Sequence, residues 1–377
     1  MTGLIRFFEA MEDPRVERTR HHKFIDIISI TIAAVMCGCE DWNEIELFGK
    51  LKKEWLSTFL ELPNGIPSHD TFNRFFAALN PEALQQCFLN WIQEVARITE
   101  GRIISIDGKR LCGSGIEGKK AIVHMVSAWC NANNMVLGQV KTDDKSNEIT
   151  AIPELLNLLD IKGCTVTIDA MGCQTEIAAK IIAKEADYLL AVKGNQGHLF
   201  DDIREAFEHT ATGQQQVSTT LEVDHGRIEK RTCHVIDDPD RICNNKEWKG
   251  LKRLIKITAE RTDKSTGEQS KECRYYIRSS VLKVNELLNA TRQHWGIENK
   301  LHWMLDVNFG EDASRKKAGN AAQNFSVITR IALNLLQNEK SKKLSIKKKR
   351  LAAGWEHSYL EKLLFGSNLD AFALSTR

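Results

Sequence analysis

Two aspartates occupy positions where carboxylates do chemistry. The run Arg102-Ile103-Ile104-Ser105-Ile106-Asp107 reads as a short apolar strand ending in an acid, and Cys164-Thr165-Val166-Thr167-Ile168-Asp169 repeats the pattern. The carboxyl end of a buried strand is where α/β sheets place ligand-binding groups. If these strands are parallel neighbours, both carboxylates project into one crevice. Like charges that close repel unless they share a proton or a cation neutralises them. A hard divalent cation with oxygen ligands does so naturally. The plainer alternative is that each Asp caps the turn after its strand, and the small residues that follow (Gly108; Ala170 and Gly172) weigh against it.

A metal pair usually needs a third carboxylate. Ile297, Leu301 and Leu305, with Trp295 and Trp303, place Glu298 at the edge of a packed helical face rather than in open solvent. Asp306, Glu311 and Asp312 are rivals for that role, and a solvent-facing Glu298 beside Lys300 is the simpler reading. His294, Glu298 and His302 lie at i, i+4 and i+8, roughly on one face. A zincin would need its Glu adjacent to the first His, so that motif is not met.

The elements that must hold these residues follow from periodicity. Residues 1–95 read as mostly helical, with Phe24, Ile27, Ile28 and Ile32 at helical spacing and further helices over 41–60 and 82–97. Ser68 is a good N-cap, and Asn80-Pro81 stops the helix it opens. Phe72, Phe75, Phe76 and Leu79 share one face of that helix, leaving His69, Asn73 and Arg74 elsewhere. This is the layout of a helix-turn-helix recognition helix, and equally of an ordinary amphipathic helix in a bundle. From residue 100 the order is β-β-β-α-β-α-β: strands over 102–107, 121–130 and 134–141, a helix over 149–159, a strand over 164–169, a helix over 174–185 and a strand over 188–192. That order fits an α/β core with a mixed sheet. After a helix near 198–208, strand-like runs at 216–223, 227–236, 252–260 and 271–278 behave as a β-rich insertion. Helical periodicity returns at 283–306 and 318–337.

Composition narrows the function classes. The chain has 377 residues, 42% hydrophobic and 27% charged, which is ordinary for a soluble globular protein and excludes collagen-like and disordered classes. Its length calls for two or three domains. Net charge is only +2, but residues 313–353 carry eleven Lys/Arg against Glu339 alone. A basic tail on a nearly neutral protein points to a polyanion, most simply nucleic acid, with a solvated basic helix as the alternative. Ten cysteines without a repeated spacing read as free thiols in a reduced, cytoplasmic protein. Cys37-x-Cys39, with His21 and His22 upstream, lacks the second cysteine pair of a structural zinc site. The apolar run 25–38 contains Asp26 and is too short to span a bilayer.

The run from Arg292 to Asp312, Arg-Gln-His-Trp-Gly-Ile-Glu-Asn-Lys-Leu-His-Trp-Met-Leu-Asp-Val-Asn-Phe-Gly-Glu-Asp, resembles a signature of the H-repeat-associated transposases, bacterial insertion-sequence proteins of the DDE superfamily. Asp13-Pro14-Arg15, Ile106-Asp107-Gly108-Lys109, Lys145-Ser146-Asn147-Glu148, Asp169-Ala170-Met171, Lys193-Gly194-Asn195-Gln196 and His225-Gly226-Arg227 are similar to that family in the same order. The resemblance implies an RNase H-like mixed-sheet catalytic core with a β-rich insertion, preceded by an N-terminal helical domain. On that reading residues 1–97 are a helical DNA-binding domain and 98–200 the first part of the core. Residues 201–282 are the insertion, and 283–377 complete the core with C-terminal helices and a basic tail.

The resemblance further implies Asp107, Asp169 and Glu298 as the catalytic, metal-holding triad, with two Mg²⁺ (or Mn²⁺) ions per site. Water would cut insertion-sequence ends, and the 3′-hydroxyls so released would join target DNA. The partners implied are terminal repeats and target DNA, with a homodimer on the DNA, no membrane, and a cytoplasmic, nucleoid-associated location. Candidate DNA contacts are Lys109, Arg110, Lys193, Asn195, Arg292, His294, Lys300, His302, Asn73 and Arg74, with Glu148 a candidate near the metals. The wider group surrounds its Glu with Tyr, Arg and Lys. Those positions here hold Thr291, His294 and Leu305, so the phosphate-binding role is either lost or met by Arg292, His294, Lys300 and His302, and hairpin formation does not carry over. A catalytically silent DNA-binding protein and an RNase H-like nuclease without strand transfer are the competing functions.

Overall fold

A computed structural model describes residues 3–96, 102–115, 122–142, 148–224 and 226–366. Lys145, Ser146, Asn147 and His225 of the motifs above lie outside the described residues.

The apolar runs assemble into one nine-stranded mixed sheet. Its strands are β1 (Ile103–Arg110), β2 (His124–Cys130), β3 (Met135–Lys141), β4 (Thr165–Ile168), β5 (Asp187–Val192), β6 (Gln216–Asp224), β7 (Arg227–Ile236), β8 (Arg253–Asp263) and β9 (Gln269–Arg278). The spatial order is β3-β2-β1-β4-β5-β9-β8-β7-β6. β1, β2 and β3 are antiparallel neighbours, whereas β1, β4 and β5 run parallel. Asn134, at φ 52°, takes the left-handed conformation that the tight β2–β3 turn needs. β9 pairs antiparallel with β5 through Leu189↔Arg278. The β-rich segment is therefore continuous with the core sheet, covering what would otherwise be an open β5 edge.

The helices are α1 (Phe24–Met36), α2 (Trp42–Leu51), α3 (Lys53–Leu56), α4 (His69–Ala78), α5 (Pro81–Val95), α6 (Glu148–Leu158), α7 (Thr175–Ala183), α8 (His198–His209), α9 (Val284–His294), α10 (Trp303–Phe309), α11 (Ala321–Asn338), α12 (Ile346–Trp355) and α13 (His357–Phe365). The helix expected over 41–60 ends early, at Leu51. Asp41 and Glu44 form a capping box at its start. The single helix expected over 283–306 is broken: a π-helical turn at Ile297–His302 separates α9 from α10.

α1 is buried from Asp26 to Met36, so its apolar run is a core helix. Among the described residues no helix is long and apolar enough to cross a membrane. α11 packs against α1, α4, α5 and β3. Asn324 on α11 donates to the Phe76 and Leu79 carbonyls at 2.8 and 2.9 Å. Nearly three helical turns later, Asn334 pairs with both backbone groups of Val136 on β3, at 2.9 and 2.8 Å. Asn334 is satisfied through both its oxygen and its nitrogen, Asn324 through its nitrogen alone, and together they fix α11 in a single register. One hydrophobic cluster accordingly runs from Leu4 through the sheet to Leu364.

The lysine-rich stretch folds. Ser345 caps α12 through the Lys348 amide, and two of its charges turn inward. Lys349 Nζ donates to the Leu336 carbonyl at 2.8 Å and to that of Glu339, and Arg350 holds the Val35 carbonyl at 2.9 Å. Lys343, Lys347 and Lys348 stay exposed. All ten cysteines are free thiols.

Candidate active site

Parallel pairing of β1 with β4 puts Ile106 beside Ile168. Asp107 and Asp169 thus follow at equivalent positions on adjacent parallel strands, which lie about 4.8 Å apart. Asp107 Oδ1 accepts the Gly108 amide at 2.9 Å. Asp169 Oδ1 accepts the Met171 and Gly172 amides at 3.0 and 3.3 Å. Asp169 therefore does cap its turn. A cap engages one oxygen and pins the carboxylate, so turn-capping and ligand-holding do not exclude each other.

Glu298 and His302 come from the π turn after α9. A chain of hydroxyls fixes that helix end to the strands. Ser105 Oγ donates to the Gln293 carbonyl, Thr167 Oγ1 lies 3.2 Å from Ser105 Oγ, and His294 Nδ1 lies 3.1 Å from Thr167 Oγ1. Asn131 Nδ2 adds a bond to Ser105 Oγ at 2.8 Å. Gly296 is required here, because a Cβ would sit 2.2 Å from Asn131 Oδ1. Ile297, Leu301 and Leu305 are buried, turning Glu298 and His302 back over β1. π turns inside α-helices concentrate at functional sites. Ligand atoms of Asp107, Glu298 and His302 all lie within 4.8 Å of one another. His302 Nδ1 is 3.1 Å from Glu298 Oε2 and 3.7 Å from Asp107 Oδ2.

Burial pushes the Asp107 carboxyl up to about 7, helped by the carboxylates of Glu148, Asp169 and Glu298. Among the described residues no lysine or arginine pairs with Asp107, Asp169 or Glu298. Burial lowers His294 to about 4 and lowers His302 as well, so both rings are neutral near pH 7. Glu148, at the start of α6, is buried and pairs with His124 Nε2 at 3.0 Å. Gly108 makes room for that pair, since a Cβ would meet Glu148 Oε1 at 2.0 Å and His124 Nε2 at 2.8 Å. His124 carried no signal in the sequence, because its partner is contributed by a helix two elements away.

The remaining sequence candidates divide. Lys109 Nζ is held by Asp306 at 2.8 Å and Asp312 at 3.2 Å. That spends Lys109 as a phosphate contact and removes Asp306 and Asp312 as rivals of Glu298. Glu311 is committed to a buried pair with Arg330. Arg110 and Lys193 are exposed near the carboxyl ends of β1 and β5. Asn195 donates to the Ala170 carbonyl at 3.1 Å, tying the β5 loop to the turn after Asp169. Arg292 pairs with Glu222 of β6. Lys300 is exposed, 3.4 Å from Asn134 Oδ1. Asn73 and Arg74 lie on α4, far along the chain from the carboxylates. Arg74 is exposed and bonds its own helix at the Asp70 carbonyl.

A cleft of about 340 Å³ opens beside Asp169, lined by Lys193, Arg274, Tyr276, His294 and Trp295 among others. The Arg274 guanidinium lies 4.7 Å above the Trp295 ring. Arg274 was not legible as a site residue, because it reaches the cleft only through the β5–β9 pairing.

Known proteins resemble the chain over most of its length. Residues 5–92 match the DDE_Tnp_1-associated family and residues 98–335 the Transposase DDE domain. The chain is 45% identical to "Putative transposase YncI" of Escherichia coli O157:H7, over 96% of this chain and 94% of that protein. It is 41% identical to "H repeat-associated putative transposase YhhI" of Escherichia coli K12, over 97% and 99%, and equally so to "Putative protein YbfL" of the same strain, over the same shares. With the transposase domain matched from before β1 into α11 and relatives this similar end to end, the chain belongs to the DDE transposases, in the H repeat-associated group.

Proposed function

We propose that this transposase cuts the ends of an insertion sequence by metal-dependent hydrolysis and joins the resulting 3′-hydroxyls to target DNA, with Asp107, Asp169 and Glu298 as its catalytic carboxylates. The observation that carries this reading is positional. Two aspartates stand at equivalent points on adjacent parallel strands, and Glu298 arrives over the first of them from a distant helix. The order β3-β2-β1-β4-β5, antiparallel on one side of β1 and parallel on the other, supports reading the first five strands as an RNase H-like core. The domain partition at residues 97, 200 and 282 belongs to the same proposal.

The donor set fits divalent cations. Ligand atoms of Asp107, Glu298 and His302 cluster, and burial, helped by the carboxylates of Glu148, Asp169 and Glu298, holds the Asp107 proton toward neutral pH. When bound, a pair of Mg²⁺ or Mn²⁺ ions supplies Lewis-acid stabilisation of the attacking and leaving oxygens of an in-line displacement. The protein's own contribution is placement. Asp107, with Asp169 and Glu298 acting on it from either side, would hold the ions together with them. The backbone cap on Asp169 and the hydroxyl chain through Ser105 and Thr167 hold the acids still while the nucleophile changes from water to a 3′-hydroxyl. Arg110, Lys193 and Lys300 are placed to meet phosphates around the site, and Asn195 holds the loop that carries Lys193. Asn73 and Arg74 remain the DNA-facing candidates of the N-terminal helices. Terminal repeats and target DNA are the substrates, and a homodimer on DNA brings two ends together.

The test is cleavage of a labelled duplex carrying the DNA ends that flank the gene, with Mg²⁺ or Mn²⁺. Wild-type protein is expected to release a 3′-hydroxyl end and to join it to a second duplex. Asp107→Ala, Asp169→Ala and Glu298→Ala are each expected to abolish both steps while DNA binding persists. Retained cleavage in any of the three would remove that residue from the triad.

A further inference from the structure

We infer that His302 is a metal ligand in its own right, so that one of the two ion positions is a mixed nitrogen–oxygen site that selects Mn²⁺ over Mg²⁺. The inference rests on the two-metal reading above and deepens it.

The argument is geometric. In a six-coordinate site with bonds of about 2.1 Å, adjacent ligand atoms are separated by about 3 Å. His302 Nδ1 already lies 3.1 Å from Glu298 Oε2 and 3.7 Å from Asp107 Oδ2. The Asp107 and Glu298 ligand atoms lie within 4.8 Å of each other and of the ring, so the three groups could close around a single ion. The ring has little freedom to do anything else. The His302 side chain is 6% exposed. It follows buried Leu301 and belongs to the same π turn as Glu298, so the turn that delivers the carboxylate delivers the nitrogen with it. Without an ion, a proton on Nδ1 would hydrogen-bond Glu298 Oε2. With an ion bound, Nδ1 would offer it a lone pair and the ring proton would sit on Nε2, which is buried without a hydrogen-bond partner among the described residues.

The consequence is selectivity. Mg²⁺ sheds its waters reluctantly and takes imidazole poorly, whereas imidazole nitrogen binds the divalent ions of the first transition row, Mn²⁺ the most weakly of them and the one nearest Mg²⁺ in its taste for carboxylates. An all-oxygen triad has no strong reason to prefer Mn²⁺, and a site with one imidazole has.

The probe is Mn²⁺ itself on the full-length protein, read by isothermal titration and by electron spin-echo modulation at the bound ion. Wild-type protein is expected to show the nitrogen modulation of a directly bound imidazole and to bind Mn²⁺ more tightly than Mg²⁺. In His302→Gln the modulation should vanish, and the Mn²⁺:Mg²⁺ affinity ratio should fall by about tenfold or more. His294→Gln, which changes the other ring near the carboxylates, should retain the modulation. If His302→Gln fails to fold, histidine-specific ¹⁵N labelling of otherwise wild-type protein, with His294→Gln and His124→Gln, makes the same assignment by elimination. Bound Mn²⁺ with no nitrogen ligand, or with modulation that survives His302→Gln, overturns the inference and leaves His302 a hydrogen-bond partner of Glu298, with the two-metal reading intact. Failure to bind Mn²⁺ at all overturns both.

Discussion

Asp107→Asn should make the metal-free protein more stable at alkaline pH. The Asp107 carboxyl is raised from 3.8 to about 7 by burial and by three neighbouring carboxylates. Between those values the folded protein keeps a proton that the unfolded chain has lost. Folding stability from this group is therefore fully present below about pH 4 and is lost as pH rises through 7. Integrating the linkage, the ionisable Asp costs the fold about 4 kcal/mol at pH 8 and under about 2 kcal/mol at pH 5. Asn keeps the shape and can still accept the Gly108 amide, yet carries no charge to bury. The assay is denaturant unfolding of both proteins in EDTA at pH 5 and pH 8. The variant should be the more stable at both, by a margin that widens by about 2–3 kcal/mol at the higher pH. Adding Mn²⁺ at pH 8 should then raise the wild-type midpoint and leave the variant's nearly unmoved. A variant no more stable than wild type, or a margin independent of pH, would refute the argument that burial, helped by neighbouring carboxylates, makes the ionised Asp107 costly to the fold.

Three further outcomes are expected. Gly108→Ala drives a Cβ into the Glu148 carboxylate, which should cost about 1–3 kcal/mol in thermal unfolding and most of the cleavage activity; Gly108→Ala with Glu148→Ala should regain the stability without the activity. Arg330→Met strands the buried Glu311 carboxylate and should destabilise by about 3–5 kcal/mol, whereas Arg330→Met with Glu311→Leu should lose far less. Lys347→Gln with Lys348→Gln should reduce the salt dependence of DNA binding by about two charges with the melting temperature unchanged. Lys349→Gln, which empties two carbonyls, should instead lower the melting temperature.

Much of this architecture could be read from local pattern. The strands β1 and β4 were legible because each apolar run terminates in an acid, and the β-β-β-α-β-α-β order follows from where hydrophobic period changes. The π turn was not, because Ile297, Leu301 and Leu305 look like ordinary helical spacing; their uniform interval of four, wider than 3.6, is the trace it leaves. The pairing of β9 with β5 was hidden for another reason. Nothing in a strand's own sequence names an edge some 80 residues away. The same limit governs the site. Asp107, Glu298 and His302 could be named from the chain, but Lys109 looked free because Asp306 and Asp312 reach it only after folding. The basic stretch misled in the same way: a count of lysines cannot tell Lys348, which faces water, from Lys349, which faces two carbonyls.

Helix α11 carries a consequence for the gene as well as for the fold. Every carboxylate of the site is encoded upstream of Ala321, the first residue of α11. A stop codon or frameshift just before it would spare all three acids. It would also strip α1, α4, α5 and β3 of the surface on which they close, leaving Asn324 and Asn334 unavailable to their backbone partners. The shortened product would present its hydrophobic interior to proteases. Decaying copies of such an element should therefore fall silent outright, without leaving behind a stable fragment that competes for the ends of intact ones.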